Sequence, residues 1–287
     1  MPSRRTALAI LASGAAAACS PFRLLNALPS DPARRIAEDV PYGADSRQRL
    51  DVWAPAQARA GLPVLVFFYG GSWSSGAKRD YAFAARALAA EGFVVIVPDY
   101  RLVPAVRFPA FVEDAAQATA FAHAHAAQWG GDPARLAVGG HSAGAYLAAM
   151  VALDPSWLER AGGPRGAVKV WAGLSGPYDF FPFDVDASRD AFAAWPRPEE
   201  TQPITYAGPG DPPAFLAHGL KDTTVRPRNT EVLAAKLKAA GVDVEVRRYP
   251  DLDHKDTVLA LTRTFRGKAP VRADMSRFLH SRLGVRG

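Results

Sequence analysis

Arg135-Leu136-Ala137-Val138-Gly139-Gly140-His141-Ser142-Ala143-Gly144-Ala145-Tyr146-Leu147-Ala148-Ala149-Met150 reads as a short apolar strand, a turn and a helix. The turn, Gly140 to Gly144, has the form G-x-S-x-G, in which a serine sits on a strained strand-to-helix bend with its hydroxyl pushed into the open. The two glycines let the strand and helix backbones come close together. Ala143 leaves its N–H where a helix N-terminus favours negative charge. A glycine-rich turn carrying a solvated serine would look the same, so the partners supplied by the rest of the chain decide between the two.

Outward from this turn the chain alternates strands and helices. Val64-Leu65-Val66-Phe67-Phe68 and Phe93 to Val97 are continuous apolar runs of strand length, expected where both faces are buried. Arg49 to Trp53 alternates polar and apolar residues and ends at Pro55, which suits an edge strand. Further strands are expected at Ala167–Ala172, Pro213–His218 and Val242–Tyr249, the last alternating apolar and charged as an edge does. Helical patterns cover Tyr81–Glu91 (stopped by Gly92), Pro109–Trp129, Thr230–Ala240 (stopped by Gly241) and Val271–Leu283. Asp132 with Pro133 caps a single turn before the strand at 135. Repeated βα steps specify an α/β fold: an open, mostly parallel sheet with helices on both faces. Ligands bind such sheets at the carboxyl ends of the strands.

Composition agrees with a folded enzyme-sized chain. Its 287 residues are 49% hydrophobic and 22% charged, enough for a large core and unlike a disordered chain. The net charge is +6, or +4 without Arg4 and Arg5, and the basic residues are scattered, which argues against nucleic-acid binding. Cys19 is the single cysteine, excluding an internal disulfide and a multi-cysteine zinc site.

Two other strand ends carry unusual residues. Tyr69-Gly70-Gly71-Ser72-Trp73 directly follows the strand at 64, and its N–H groups, with that of Ala143, suit a tetrahedral oxyanion. His254 stands in the loop Pro250 to Lys255, after the last strand. His123, His125, His141 and His280 fall where surface or packing roles are expected. An acid should lie between serine and base in chain order. Asp222 follows the strand before His254's own and its loop is therefore the neighbour; Asp179, Asp251 and Asp253 compete.

At this point the chain resembles the α/β-hydrolases, in the group holding hormone-sensitive-lipase-like esterases, carbohydrate and feruloyl esterases and arylformamidases. The resemblance rests on Leu50 to Pro55, Gly70 to Trp73, Pro98 to Leu102, Phe108-Pro109 with Glu113-Asp114, and Gly130 to Pro133. It continues through Gly140 to Gly144, Ser175-Gly176 with Tyr178-Asp179, His218-Gly219 with Asp222 and Val225, and His254. It implies an α/β-hydrolase fold with Ser142 as nucleophile, His254 as base, Asp222 as orienting acid and Gly71, Ser72 and Ala143 as oxyanion donors. It implies a small-molecule ester substrate, no cofactor and no metal, and structural roles for Asp99, Arg101 and Asp114. Tyr69 departs from the histidine this group usually carries ahead of the two glycines. Ser175 to Pro212 is an aromatic-rich insertion, read as a short cap; Tyr69, Trp73 and Phe180 are candidate pocket residues.

Met1 to Cys19 reads as an export signal: Ser3-Arg4-Arg5 followed by Leu8, which resembles a twin-arginine signal, an apolar run too short to span a bilayer, and small residues before Cys19. Cys19 is placed as in a bacterial lipoprotein, which would anchor the protein to a membrane in the cell envelope; this is the favoured reading, although Ala16-Ala17-Ala18 would also suit ordinary cleavage before Cys19. Residues 20–39, with three prolines and no clean period, read as a tether, and 40–287 as the hydrolase domain. No protein partner can be inferred. The whole reads as an exported serine hydrolase cleaving short-chain or acetyl esters, the alternatives being an arylformamidase or amidase and a catalytically inactive binding module.

Overall fold

The apolar runs occupy the middle of a sheet. The computed structural model describes residues 25–27, 31–57 and 59–285. Within these lie β1 (Ala33–Pro41), β2 (Arg49–Pro55), β3 (Leu62–Phe68), β4 (Val94–Pro98), β5 (Gly131–His141), β6 (Val168–Leu174), β7 (Ala214–Gly219) and β8 (Val244–Tyr249). They form one sheet in the order β1-β2-β4-β3-β5-β6-β7-β8. The β1–β2 and β2–β4 pairs are antiparallel and all others parallel. Val64 to Phe68 and Val94 to Val97 are wholly buried, as continuous apolar strands covered on both faces must be. Helix Ala82–Ala90 packs with Val271–Arg282, while Ala110–His125, Ala143–Leu153 and Pro155–Arg160 pack with one another.

Three expectations are corrected. The tether of residues 20–39 ends earlier than expected, because Ala33–Pro41 pairs along β2. Nothing local marks that strand, which has no apolar run; the edge of β2 recruits it. β2 is therefore not an edge strand. Its polar Asp51 is buried against the Lys78 ammonium at 2.6 Å and the Asp39 N–H at 3.0 Å, so the alternation that suggested solvent is a satisfied internal ion pair. Asp132-Pro133 lies inside β5 as an irregularity: Pro63 pairs with Asp132 but Val64 with Leu136. The Asp132 carboxylate accepts the Ala134 N–H at 2.9 Å there.

Arg101 binds the buried Asp114 carboxylate through Nε and Nη2, and Asp99 accepts the Lys78 N–H at 2.6 Å, so these residues tie down loops. Met1 to Cys19, with the export and lipidation expectations, lies outside the described residues. Among the described residues no helix is long and apolar enough to cross a membrane.

Candidate active site

Ser142 terminates β5 with φ 56° and ψ −124°, a strained backbone for a residue with a side chain. Its N–H donates to the Leu174 carbonyl at 2.9 Å, and its own carbonyl accepts the Tyr146 N–H at 3.1 Å. Strain on this scale persists only where the surroundings fix it, and both glycines of the turn are needed. A Cβ on Gly140 would stand 2.7 Å from the Ala145 nitrogen; one on Gly144 would stand 2.6 Å from the Tyr69 carbonyl oxygen, and closer still to that of Phe68. The helix Ala143–Leu153 is thereby held against the ends of β5 and β3.

His254 Nε2 lies 2.8 Å from Ser142 Oγ, and His254 Nδ1 lies 2.7 Å from Asp222 Oδ2. The three residues come from the ends of β5, β7 and β8. The competing carboxylates are engaged elsewhere: Asp179 with Arg228 at 2.9 Å, Asp251 with Lys221 at 2.8 Å, and Asp253 with the N–H groups of Lys255 and Asp256. Burial pushes the Asp222 carboxyl upward, but hydrogen bonds from His218, His254 and the Val225 N–H outweigh it and hold the group well below the usual carboxylate range. Asp222 is thus an anion aimed at one imidazole nitrogen while the other faces a serine hydroxyl.

The loop after β3 carries φ +140° at Gly71, +53° at Ser72 and +58° at Trp73. Gly70 abuts the serine turn, since a Cβ there would meet Ser142 Cβ at 2.9 Å. Among the described residues, the backbone N–H groups of Gly71, Ser72 and Ala143 donate to no acceptor in the chain. Free donors beside a serine are what an oxyanion requires.

Tyr69 is not a pocket residue. Its side chain is fully buried, stacked on Tyr100 at 4.6 Å between ring centroids, with the phenol bonded to Arg47. The ring is needed inside the chain to fill space below the glycine loop. Trp73 meets Phe180 at 5.9 Å and Phe192 at 4.7 Å, joining the loop to the insertion. Phe192 is fully buried among Phe108, Phe111 and Tyr146, and Phe180, Phe183 and Trp195 pack partly buried against the core, while Phe181 is exposed. A cavity of about 330 Å³ lies beyond this cluster, lined by Phe108, Trp157, Trp195, Glu200 and Tyr206. Neither Ser142 nor His254 lines it, so its volume says nothing of the space open to a substrate at the serine.

Two buried histidines and the part-buried Arg47 have roles near the site that the sequence reading missed. His218 Nε2 lies 2.8 Å from the Val225 carbonyl and 3.2 Å from Asp222 Oδ2, the same oxygen that His254 meets, and so braces the acid. His141 bonds to Tyr81 and to the backbone of His254 rather than merely packing. Arg47 joins Tyr69 to the carbonyls of Tyr100 and Gly76. Position offered a hint for the two histidines, each beside a motif residue at a strand end; Arg47 had none. His125 and His280 do cap and stack, on Phe121 and Phe93 respectively.

A serine, imidazole and carboxylate in hydrogen-bonded line on a mostly parallel sheet define the class of α/β-hydrolases. The family model BD-FAE matches residues 50–237, and the chain belongs to that family. It is 34% identical over 278 residues to carboxylesterase NlhH of Mycobacterium tuberculosis, covering 87% of this chain and 85% of that one. Esterase LipQ of the same organism is 30% identical over 256 residues, covering 81% of this chain; this chain spans 61% of LipQ's length. Among solved structures, a truncated carbohydrate esterase from gut microbiota superposes with a TM-score of 0.78 at 19% identity, over 89% of this chain and 99% of that one. Esterase B from Lactobacillus rhamnosis superposes with a TM-score of 0.76 at 21% identity, over 92% and 90%. These two likenesses concern the fold.

Proposed function

We propose that this protein is a serine carboxylesterase of short-chain or acetyl esters, working through an acyl-enzyme. The observation that carries the reading is the continuous line Ser142 Oγ to His254 Nε2 at 2.8 Å and His254 Nδ1 to Asp222 at 2.7 Å. His254 takes the Ser142 proton as Oγ bonds to the ester carbonyl carbon. The resulting oxyanion rests on the N–H groups of Gly71, Ser72 and Ala143. The tetrahedral species expels the alcohol, which receives the proton from Nε2, and leaves an acyl-serine. Water then attacks by the same route and releases the acid. Asp222, anionic throughout, holds the tautomer with Nδ1–H and stabilises the imidazolium. No step calls for a metal or organic cofactor.

Curated esterases among the relatives support the reaction class. The partly buried Phe180, stacked on Trp73 of the glycine loop, supports a small acyl group. The intact hydrogen-bonded line argues against an inactive binding module, which has no use for it. The test combines a fluorophosphonate probe with aryl esters of increasing chain length and an N-formyl aromatic amine. Ser142→Ala removes labelling and turnover together, and the acetyl or butyryl ester is cut fastest. Labelling that persists in the variant overturns the nucleophile; preference for the formamide moves the protein to the arylformamidase alternative.

The family contributes nothing on location. Our reading of Arg4-Arg5, the apolar run and Cys19 places the enzyme in a bacterial cell envelope, anchored through an acylated Cys19.

A further inference from the structure

His254 belongs to the loop after β8, yet its partner Ser142 stands at the end of β5, three strands away in the sheet order. With strands about 4.8 Å apart, that loop must return roughly 14 Å across the ends of β7 and β6. The return is tightly routed. It passes over Gly219, where a Cβ would stand 2.9 Å from the Asp253 carbonyl oxygen and closer to that of Leu252. Leu252 accepts the Lys221 N–H at 3.0 Å. The last tie falls on His254 itself: its backbone carbonyl lies 2.8 Å from His141 Nε2 and 3.1 Å from Thr257 Oγ1, and Thr257 Oγ1 is 3.1 Å from Ser175 Oγ at the end of β6.

We propose that His141 is a positioning residue, which clamps the His254 carbonyl and through it sets the base against Ser142; the role rests on the triad reading above. The imidazole does what an apolar side chain of equal volume cannot. Its Nε2–H donates to the His254 carbonyl while Nδ1, 2.8 Å from the Tyr81 hydroxyl, accepts. The Gly70 backbone lies against the same ring, since a Cβ there would meet His141 Nδ1 at 3.1 Å. One neutral ring thereby links the serine turn, the base loop and the glycine loop that carries the oxyanion donors. His141 is 2% exposed, and burial, with the nearby His254, drives its pKa down to about 3, so it stays uncharged. Neutrality matters because the two imidazoles lie 5.0 Å apart, and a charged His141 would oppose the proton His254 must accept.

The experiment compares His141→Gln, which keeps a donor and an acceptor, with His141→Met, which fills volume alone. His141→Met is expected to lower kcat about ten- to hundredfold with KM within twofold, and to slow fluorophosphonate labelling of Ser142 in parallel. His141→Gln is expected to recover turnover to within about fivefold of the unmodified enzyme. Wild-type kcat in His141→Met, or equal losses in the two variants, overturns the clamp. Should His141→Met not fold, Tyr81→Phe carries the test: a loss of kcat of threefold or more at unchanged KM supports the clamp, and unaltered kinetics overturns it. Ser142→Ala is measured alongside. Turnover surviving there removes the triad reading itself, whereas its loss together with wild-type kinetics in His141→Met removes only the clamp.

Discussion

The Arg47 guanidinium donates to the phenol of the buried Tyr69 at 2.8 Å. The same guanidinium reaches the carbonyls of Tyr100 and Gly76, so the phenol takes part in holding both flanks of the glycine loop. Burial raises the Tyr69 pKa well above its ordinary value, and the hydroxyl stays protonated. Tyr69 is therefore a brace and its loss acts through loop order. Tyr69→Phe should slow turnover by no more than about tenfold and lower stability by about 1–2 kcal/mol, since a charged donor loses its acceptor. Steady-state kinetics with urea unfolding measures both; a hundredfold fall in kcat at unchanged stability would make the phenol an oxyanion donor.

Asp222→Asn should fold normally and lose roughly 10³- to 10⁴-fold in kcat, because an amide no longer fixes the His254 tautomer. Asp179→Asn, whose carboxylate meets Arg228 at the protein surface, should lose less than about threefold. Parallel kinetics on one aryl ester rank the two, and the opposite order would relocate the acid.

Gly144→Ala places a methyl group against the backbone of Phe68 and Tyr69, atoms that cannot rotate away. The helix must withdraw from β3, carrying Ala143 N–H out of register with the glycine loop. Expected is a stability loss of about 1–3 kcal/mol together with a kcat loss of more than tenfold. Unchanged activity in Gly144→Ala would show that the close approach is dispensable.

His141 gives the protein an acid-sensitive element. Its folded pKa of about 3 lies below the ordinary 6.5, so between those values the unfolded chain binds a proton there that the native chain does not. The stability it allows is present above pH 6.5 and is lost as the pH falls, by about 1.4 kcal/mol per pH unit. His141→Gln removes this dependence. Urea unfolding at pH 7.5 and 5.5 should show a steeper decline in the unmodified protein; equal declines would contradict a buried neutral His141.

For location, Cys19→Ser should abolish incorporation of labelled fatty acid, and lysine at both Arg4 and Arg5 should block export by a twin-arginine route. Fractionation of bacteria expressing the full chain measures each. A mature protein that begins at Cys19, carries no lipid and is free in the periplasm would refute the anchor.

Sequence alone determined whatever rests on local sterics and on apolar periodicity. The spacing of Gly140, Ser142 and Gly144 dictated the bend, because a helix can approach β3 and β5 that closely only without side chains at those two positions. The apolar runs at 64 and 93 dictated buried parallel strands, and chain order pointed to Asp222 and His254. What tertiary structure decided are the matters settled by groups distant in sequence. β1 exists as a strand because the edge of β2 offers it unpaired backbone, which no pattern in residues 33–41 announces. Asp222 rather than Asp179 meets the base because β7 lies directly beside β8, while Asp179, beyond β6, pairs with Arg228, 49 positions along the chain. His141 faces the base loop, and Arg47 lies under Tyr69, through contacts spanning 113 and 22 residues. A buried hydrogen bond of this kind depends on where two loops end in space, and that is set by the packing of the whole sheet.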